Sequence, residues 1–175
     1  MKKPVVIAVV GSKSSGKTTT IEALTRELAK RGYKVAAIKH IPEPNFTIDA
    51  AGKDTWRFAK AGAKTIISVA SNEIATIEKN ENFTLDELLQ KCKDHDFVLI
   101  EGFRKLVGKN RAIPKIVTVK SMEEVLAAQK IFSPIIAFTG PYSPQNLQLE
   151  SPYIDVFKNP EKIADIAEAA AKKCF

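Results

Sequence analysis

Gly11-Ser12-Lys13-Ser14-Ser15-Gly16-Lys17-Thr18 matches the phosphate-binding pattern G-x-x-x-x-G-K-[ST] at every fixed position. Val5-Val6-Ile7-Ala8-Val9-Val10 precedes it, a short β-branched run that reads as a buried parallel strand. Thr19 to Arg31 follows, with Ile21, Leu24, Leu28 and Ala29 near helical spacing and Gly32 at the end. Strand, loop and helix in that order are the context the pattern needs. The glycines let the backbone curl so that successive N–H groups point inward at phosphate oxygens. A helix beginning near Gly16 adds its positive dipole end. The candidate phosphate-binding residues are therefore Gly11, Lys13, Ser14, Ser15, Gly16, Lys17, Thr18 and Thr19. Lys17 is suited to the β- and γ-phosphates, and the Thr18 hydroxyl to Mg²⁺.

Outward from this loop, strands alternate with helices. Val35 to Lys39 reads as a second strand ending at His40, and Ile41-Pro42-Glu43-Pro44 cannot continue a central strand. Lys53 to Ala61 reads as a short helix closed by Gly62, with Asp54 in its first turn. Thr65 to Ala70 and Glu73 to Lys79, separated by Ser71-Asn72, predict a hairpin and hence a mixed sheet. Thr84-Leu85-Asp86-Glu87 and Ser121-Met122-Glu123-Glu124 are capping boxes that open helices. Phe97 to Ile100, Lys115 to Val119 and Pro134 to Thr139 read as strands, and Arg104, Lys105, Lys109 and Arg111 as a basic loop. Asn159-Pro160-Glu161 opens the last helix. The predicted architecture is a three-layer α/β P-loop NTPase fold with a mostly parallel, mixed sheet, in one domain over residues 1–175.

Ligands of such sheets sit beyond the carboxyl ends of the strands, which adds His40, Glu101 and Thr139 to the site. A P-loop needs a second group to hold Mg²⁺, usually an acid on a neighbouring strand. Asp96 and Glu101 flank one strand about 16 Å apart, so only one reaches the phosphates, and Glu101 is at the carboxyl end. Asp96 reads as a solvated strand start. Asp49 and Asp54 are candidates to touch the metal or position water, although helix-dipole stabilisation accounts for Asp54 equally well. His40 reads as a base, a ligand or a satisfied turn residue. Thr139-Gly140 is placed for base contact by position alone.

Composition bounds the function. The chain is 45% hydrophobic, enough for a core, and its longest apolar runs fall far short of a membrane span. Met1-Lys2-Lys3 and the following apolar run resemble a signal peptide only until the run stops at Gly11 without a cleavage site, so a cytoplasmic protein is expected. A net charge of +7 favours anionic partners. The lysines are scattered and no nucleic-acid motif appears, so a basic solvated surface is expected rather than a nucleic-acid face. Cys92 and Cys174 are far apart and form no metal or redox motif.

Several motifs together resemble the molybdopterin-guanine dinucleotide biosynthesis protein B (MobB-like) family of P-loop GTPases. They are Gly11 to Thr20; Ile38-Lys39-His40; Asp49 with Gly52-Lys53-Asp54-Thr55-Trp56-Arg57; Ala61-Gly62-Ala63; Asp96 to Phe103; and Pro114-Lys115-Ile116. The order is consistent across nearly the whole chain. Ile41-Pro42-Glu43-Pro44 stands where the family commonly has further histidines. The resemblance implies that the chain binds GTP with Mg²⁺, hydrolyses it weakly, forms a homodimer and assists the molybdopterin guanylyltransferase that joins GMP to molybdopterin. With no N-K-x-D motif present, the guanine preference rests on that resemblance.

Lys17, Glu101, Asp49 and Asp54 are the candidate catalytic groups, and Thr18 and Glu101 the candidate metal ligands. Arg104 joins the nucleotide-binding set as part of the basic loop. Two other functions share the P-loop. A small-molecule kinase would use Arg104 to Arg111 as a basic lid. A metal-insertion GTPase would need a Cys/His pair, for which the chain offers only the separated Cys92, Cys174, His40 and His95.

Overall fold

The computed structural model describes residues 3–79, 82–142 and 149–173. In chain order its elements are β1 (Val5–Gly11), α1 (Lys17–Lys30), β2 (Val35–Lys39), α2 (Asp54–Lys60), β3 (Thr65–Val69), β4 (Ile74–Glu78), α3 (Leu85–Gln90), β5 (Phe97–Glu101), α4 (Arg104–Val107), β6 (Lys115–Thr118), α5 (Met122–Ile131), β7 (Ile135–Thr139) and α6 (Pro160–Lys173). The single domain expected over 1–175 takes the form of two compact units. One runs to His40 and resumes at Leu89; the other is Ile41–Leu88. Cys174 and the middle of the Pro-rich loop after Gly140 lie outside the described residues.

The first unit is built on a five-stranded sheet in the order β2-β5-β1-β6-β7. Every pairing in it is parallel. Parallel strands are covered on both faces, and β5 is accordingly Phe-Val-Leu-Ile with all four residues buried. On one face Leu24 and Leu28 of α1 and Ile163, Ala164 and Ala167 of α6 pack with Ile7, Val9, Leu99, Ile116 and Ala137. Alternation sends Ala8, Val10, Val98, Ile100 and Val117 to the other face. They are buried, as are Val107 of α4 and Val125 and Ala128 of α5. Helices on both faces give the three-layer α/β arrangement.

The first capping box forms in full: Thr84 N donates to Glu87 Oε2 at 2.8 Å and Glu87 N to Thr84 Oγ1 at 3.2 Å. The second forms by half: Ser121 Oγ accepts from Glu124 N at 3.3 Å, but Glu124 Oε2 accepts from the N–H of Lys120, one residue before the cap, at 2.8 Å. Two readings are corrected. The predicted hairpin exists, with Val69 opposite Ile74, but β3 and β4 form a separate antiparallel sheet in the second unit, so the main sheet is not mixed. The basic loop begins as a helical turn, α4, because Phe103 takes a left-handed conformation (φ 53°) that starts the turn directly after β5. One lysine lies apart from the basic surface: Lys115 is fully buried.

Lys115 Nζ donates to Asn110 O and Ser133 O, both at 2.5 Å, which ties the segment before β6 to the one before β7. Burial pushes its ammonium down to about 8. An unfolded lysine titrates near 10.4, so between about pH 8 and pH 10.4 the unfolded chain holds more protons than the folded one. This residue's contribution to stability therefore rises with pH across that window, and below it the cost of burying the ammonium is felt in full. In thermal melts from about pH 7.5 to pH 10, wild type gains stability relative to Lys115→Met as pH rises. Melting temperatures that run parallel in the two proteins would contradict this.

Candidate functional site

The phosphate loop hangs between the end of β1 and the start of α1, and its shape is fixed from below by hydroxyls. Ser15 is buried; its Oγ donates to Ser12 O at 2.8 Å and lies 2.5 Å from Thr118 Oγ1 at the end of β6. Gly11 sits against the same threonine, and a Cβ at Gly11 would collide with Thr118 and come within 2.7 Å of Ser15 Oγ. Ser14 (φ 58°) and Gly16 (φ 94°) are left-handed, which turns the chain through the loop and into α1. Gly140, at the end of β7, packs so closely that an added Cβ would lie 3.0 Å from Ser15 O. The first-turn N–H groups of α1, including those of Lys17, Thr18 and Thr19, have no acceptor one turn back, so they are free to point at an anion.

The charged groups converge on this loop. Lys17 Nζ lies on Ser12 O at 2.5 Å, and Lys120 Nζ donates to Lys13 O at 3.0 Å. Thr18 Oγ1 donates to Glu101 Oε2 at 3.0 Å, and the other oxygen of Glu101 is 3.2 Å from Lys39 Nζ. Burial lowers the Lys17 pKa, Glu101 opposes that shift, and the positive charges of Lys39, Arg104 and Lys120 add to the lowering. Several cations around one carboxylate make a site short of negative charge, which a polyphosphate supplies. Arg104 itself lies over the Phe132 ring, 5.4 Å from its centroid.

The structure brings together Gly11, Lys13, Ser14, Ser15, Gly16, Lys17, Thr18, Thr19 and Glu101. Within that set the Ser15 hydroxyl is committed to the loop's own backbone and to Thr118, leaving only its N–H for a ligand. Asp96 is not merely solvated: its carboxylate accepts from Lys34 N at 2.8 Å and ties down the start of β5. Thr139 is fully buried with an unpartnered hydroxyl, on the sheet face of its register partner Thr118. His40 N donates to Glu101 O at 3.0 Å, and its ring lies against Phe103 with centroids 4.6 Å apart. Asp49 and Asp54 belong to the second unit. There Asp49 Oδ1 accepts from Thr55 Oγ1 at 2.8 Å while Oδ2 is buried without a partner, and Asp54 is exposed beside Arg57. His95 Nδ1 lies 3.3 Å from Cys92 O, and burial raises the Cys92 thiol pKa, which disfavours the thiolate a metal would need.

Sequence reasoning missed Thr118, Lys39 and Lys120. All three stand at or just past the carboxyl end of a strand, so the positional rule that selected Glu101 would have found them.

A parallel sheet with this loop after its central strand, and an acid ending the neighbouring strand, define an α/β P-loop protein of the nucleotide-binding class. The chain belongs to the molybdopterin guanine dinucleotide synthesis protein B family, whose model matches residues 6–139. A Haemophilus influenzae molybdopterin-guanine dinucleotide biosynthesis adapter protein is 32% identical over 166 residues, covering 93% of this chain and 87% of its own length. A Methanocaldococcus jannaschii relative named for the same biosynthesis is 40% identical over 120 residues, 67% of this chain. This match spans 48% of that relative's length. A crystal structure of molybdopterin-guanine biosynthesis protein B superposes with a TM-score of 0.70 at 27% identity, covering 94% of this chain and 97% of that one. Among the described residues no helix is long and apolar enough to cross a membrane.

Proposed function

We propose that the protein is a GTP-binding adapter in molybdenum cofactor biosynthesis, a weak GTPase that assists a molybdopterin guanylyltransferase in attaching GMP to molybdopterin. Family membership together with a complete phosphate loop carries this reading. Lys17 and the α1 N-terminus bind the phosphates, and Glu101 is the acid beside them. The Glu101 carboxylate and Thr18 hydroxyl are hard oxygen donors 3.0 Å apart, which fits Mg²⁺, a cation that takes one or two protein oxygens and completes its shell with water and phosphate. Held by Glu101 and Thr18, such an ion would supply positive charge to offset that of the nucleotide's phosphates. Asp49, with one carboxylate oxygen unpartnered, and Asp54 remain candidates to position water. Arg104 and Arg111 are suited to phosphate groups of nucleotide or pterin, since a guanidinium donates two parallel hydrogen bonds.

A homodimer is supported by the hairpin, whose Ile67, Val69 and Ile74 are exposed large hydrophobics. A cytoplasmic site of action follows from the biosynthetic role. The experiment is phosphate release from GTP by the purified chain, alone and with small hydroxylated acceptors. The adapter reading predicts slow turnover that no acceptor accelerates. Rapid γ-phosphate transfer to an acceptor would replace it with the kinase reading.

A further inference from the structure

We propose that Lys39 is a phosphate-contacting residue that exchanges its bond to Glu101 for the terminal phosphoryl group of a bound nucleoside triphosphate. The inference rests on the nucleotide reading of the loop and names a residue that reading does not use.

Lys39 and Glu101 are the last residues of adjacent parallel strands and are register partners, so both stand at the carboxyl ends where ligands bind. Glu101 spans the two sides of the site: one oxygen takes the Thr18 hydroxyl and the other takes Lys39 Nζ. Lys39 is thus one carboxylate away from the hydroxyl suited to the metal. The neighbouring cations have other partners. Lys17 rests on the loop carbonyl of Ser12, Lys120 on that of Lys13 at 3.0 Å with the Glu124 carboxylate farther away at 4.0 Å, and Arg104 lies over Phe132. Lys39 rests on an anion, and an anion is what a phosphate replaces.

The Lys39 side chain is 55% exposed, so its ammonium can leave for solvent or ligand, whereas Glu101 is only 13% exposed and keeps the Thr18 hydroxyl as a partner when Lys39 moves. Its four-carbon stem lets the ammonium swing without moving β2, and a compact ammonium binds phosphate as a point charge. A triphosphate carries more negative charge at its terminal group than one carboxylate does. The terminal phosphoryl group therefore competes directly with Glu101 for the Lys39 ammonium, with or without a metal ion. A diphosphate, held by the loop and the α1 N-terminus, ends short of this position.

The test uses the full chain with GTPγS and GDP in calorimetric titrations, each with Mg²⁺ and with EDTA, for wild type, Lys39→Met and Lys39→Arg. Lys39→Met loses about tenfold or more in GTPγS affinity, with and without metal, as expected for one charge-assisted hydrogen bond. Its GDP affinity stays within about twofold of wild type, and Lys39→Arg keeps most of the GTPγS affinity. Equal losses for both nucleotides, no loss, or a loss confined to the Mg²⁺ titrations would overturn the proposal; the last would show that Lys39 only orients Glu101. Failure of wild type to bind either nucleotide would be a different result, because it defeats the nucleotide reading itself. The exposed position of Lys39 leaves the core intact, which an unchanged melting temperature checks.

Discussion

Lys17→Ala abolishes triphosphate binding in a calorimetric titration with GTP and Mg²⁺. The lysine is the side-chain cation that the loop pattern directs at the β- and γ-phosphates, and charge-assisted bonds of this kind contribute about 1.5–3 kcal/mol each. Two such bonds lost together correspond to at least a hundredfold, or roughly 3 kcal/mol. The fold survives the change, since the bond given up is to the backbone carbonyl of Ser12 and the loop keeps its support from Ser15 and Thr118. The structure also accounts for why Lys17 is poised to bind. Burial and the charges of Lys39, Arg104 and Lys120 work against its ammonium, and a polyphosphate relieves that penalty. Unchanged GTP affinity in a folded Lys17→Ala protein would refute the role.

Glu101→Gln removes the Mg²⁺-dependent part of nucleotide binding and hydrolysis while leaving binding in EDTA largely intact. The amide keeps the volume and can still meet the Thr18 hydroxyl, but it loses the charge that pairs with Lys39 and that a divalent cation needs. At least tenfold is expected in the Mg²⁺-dependent gain, the scale of one lost charged contact. Asp96→Asn is the control on the same strand. Its carboxylate holds Lys34 N at the far end of β5, so the variant shifts the melting temperature rather than the metal response. Equal loss of the Mg²⁺ effect in both variants would contradict the assignment of Glu101.

The phosphate loop and Glu101 were legible in the sequence because their chemistry is local: a loop pattern with its strand and helix, and an acid at a strand end. The pairing of β3 with β4 was legible from alternation and a short turn, but which sheet the hairpin joins is a long-range matter that periodicity does not encode. The burial of Lys115 is not legible for a related reason. A lysine beginning a strand looks exposed until the carbonyls of Asn110 and Ser133 close over it. Thr118 is an ordinary strand residue by sequence, and its part in supporting the loop appears only when β6 is set beside β1 with Thr118 opposite Gly11. The cations Lys39 and Lys120 were hidden among scattered lysines, and only the sheet order β2-β5-β1-β6-β7 shows that they converge.

The most direct test of the adapter reading is the rate at which a molybdopterin guanylyltransferase forms guanylylated pterin with and without this protein, using wild type and Lys17→Ala in parallel. The account predicts that wild type raises the rate and that Lys17→Ala does not, with Arg104→Ala/Arg111→Ala giving a reduced stimulation. No stimulation by wild type, or equal stimulation by Lys17→Ala, would contradict it.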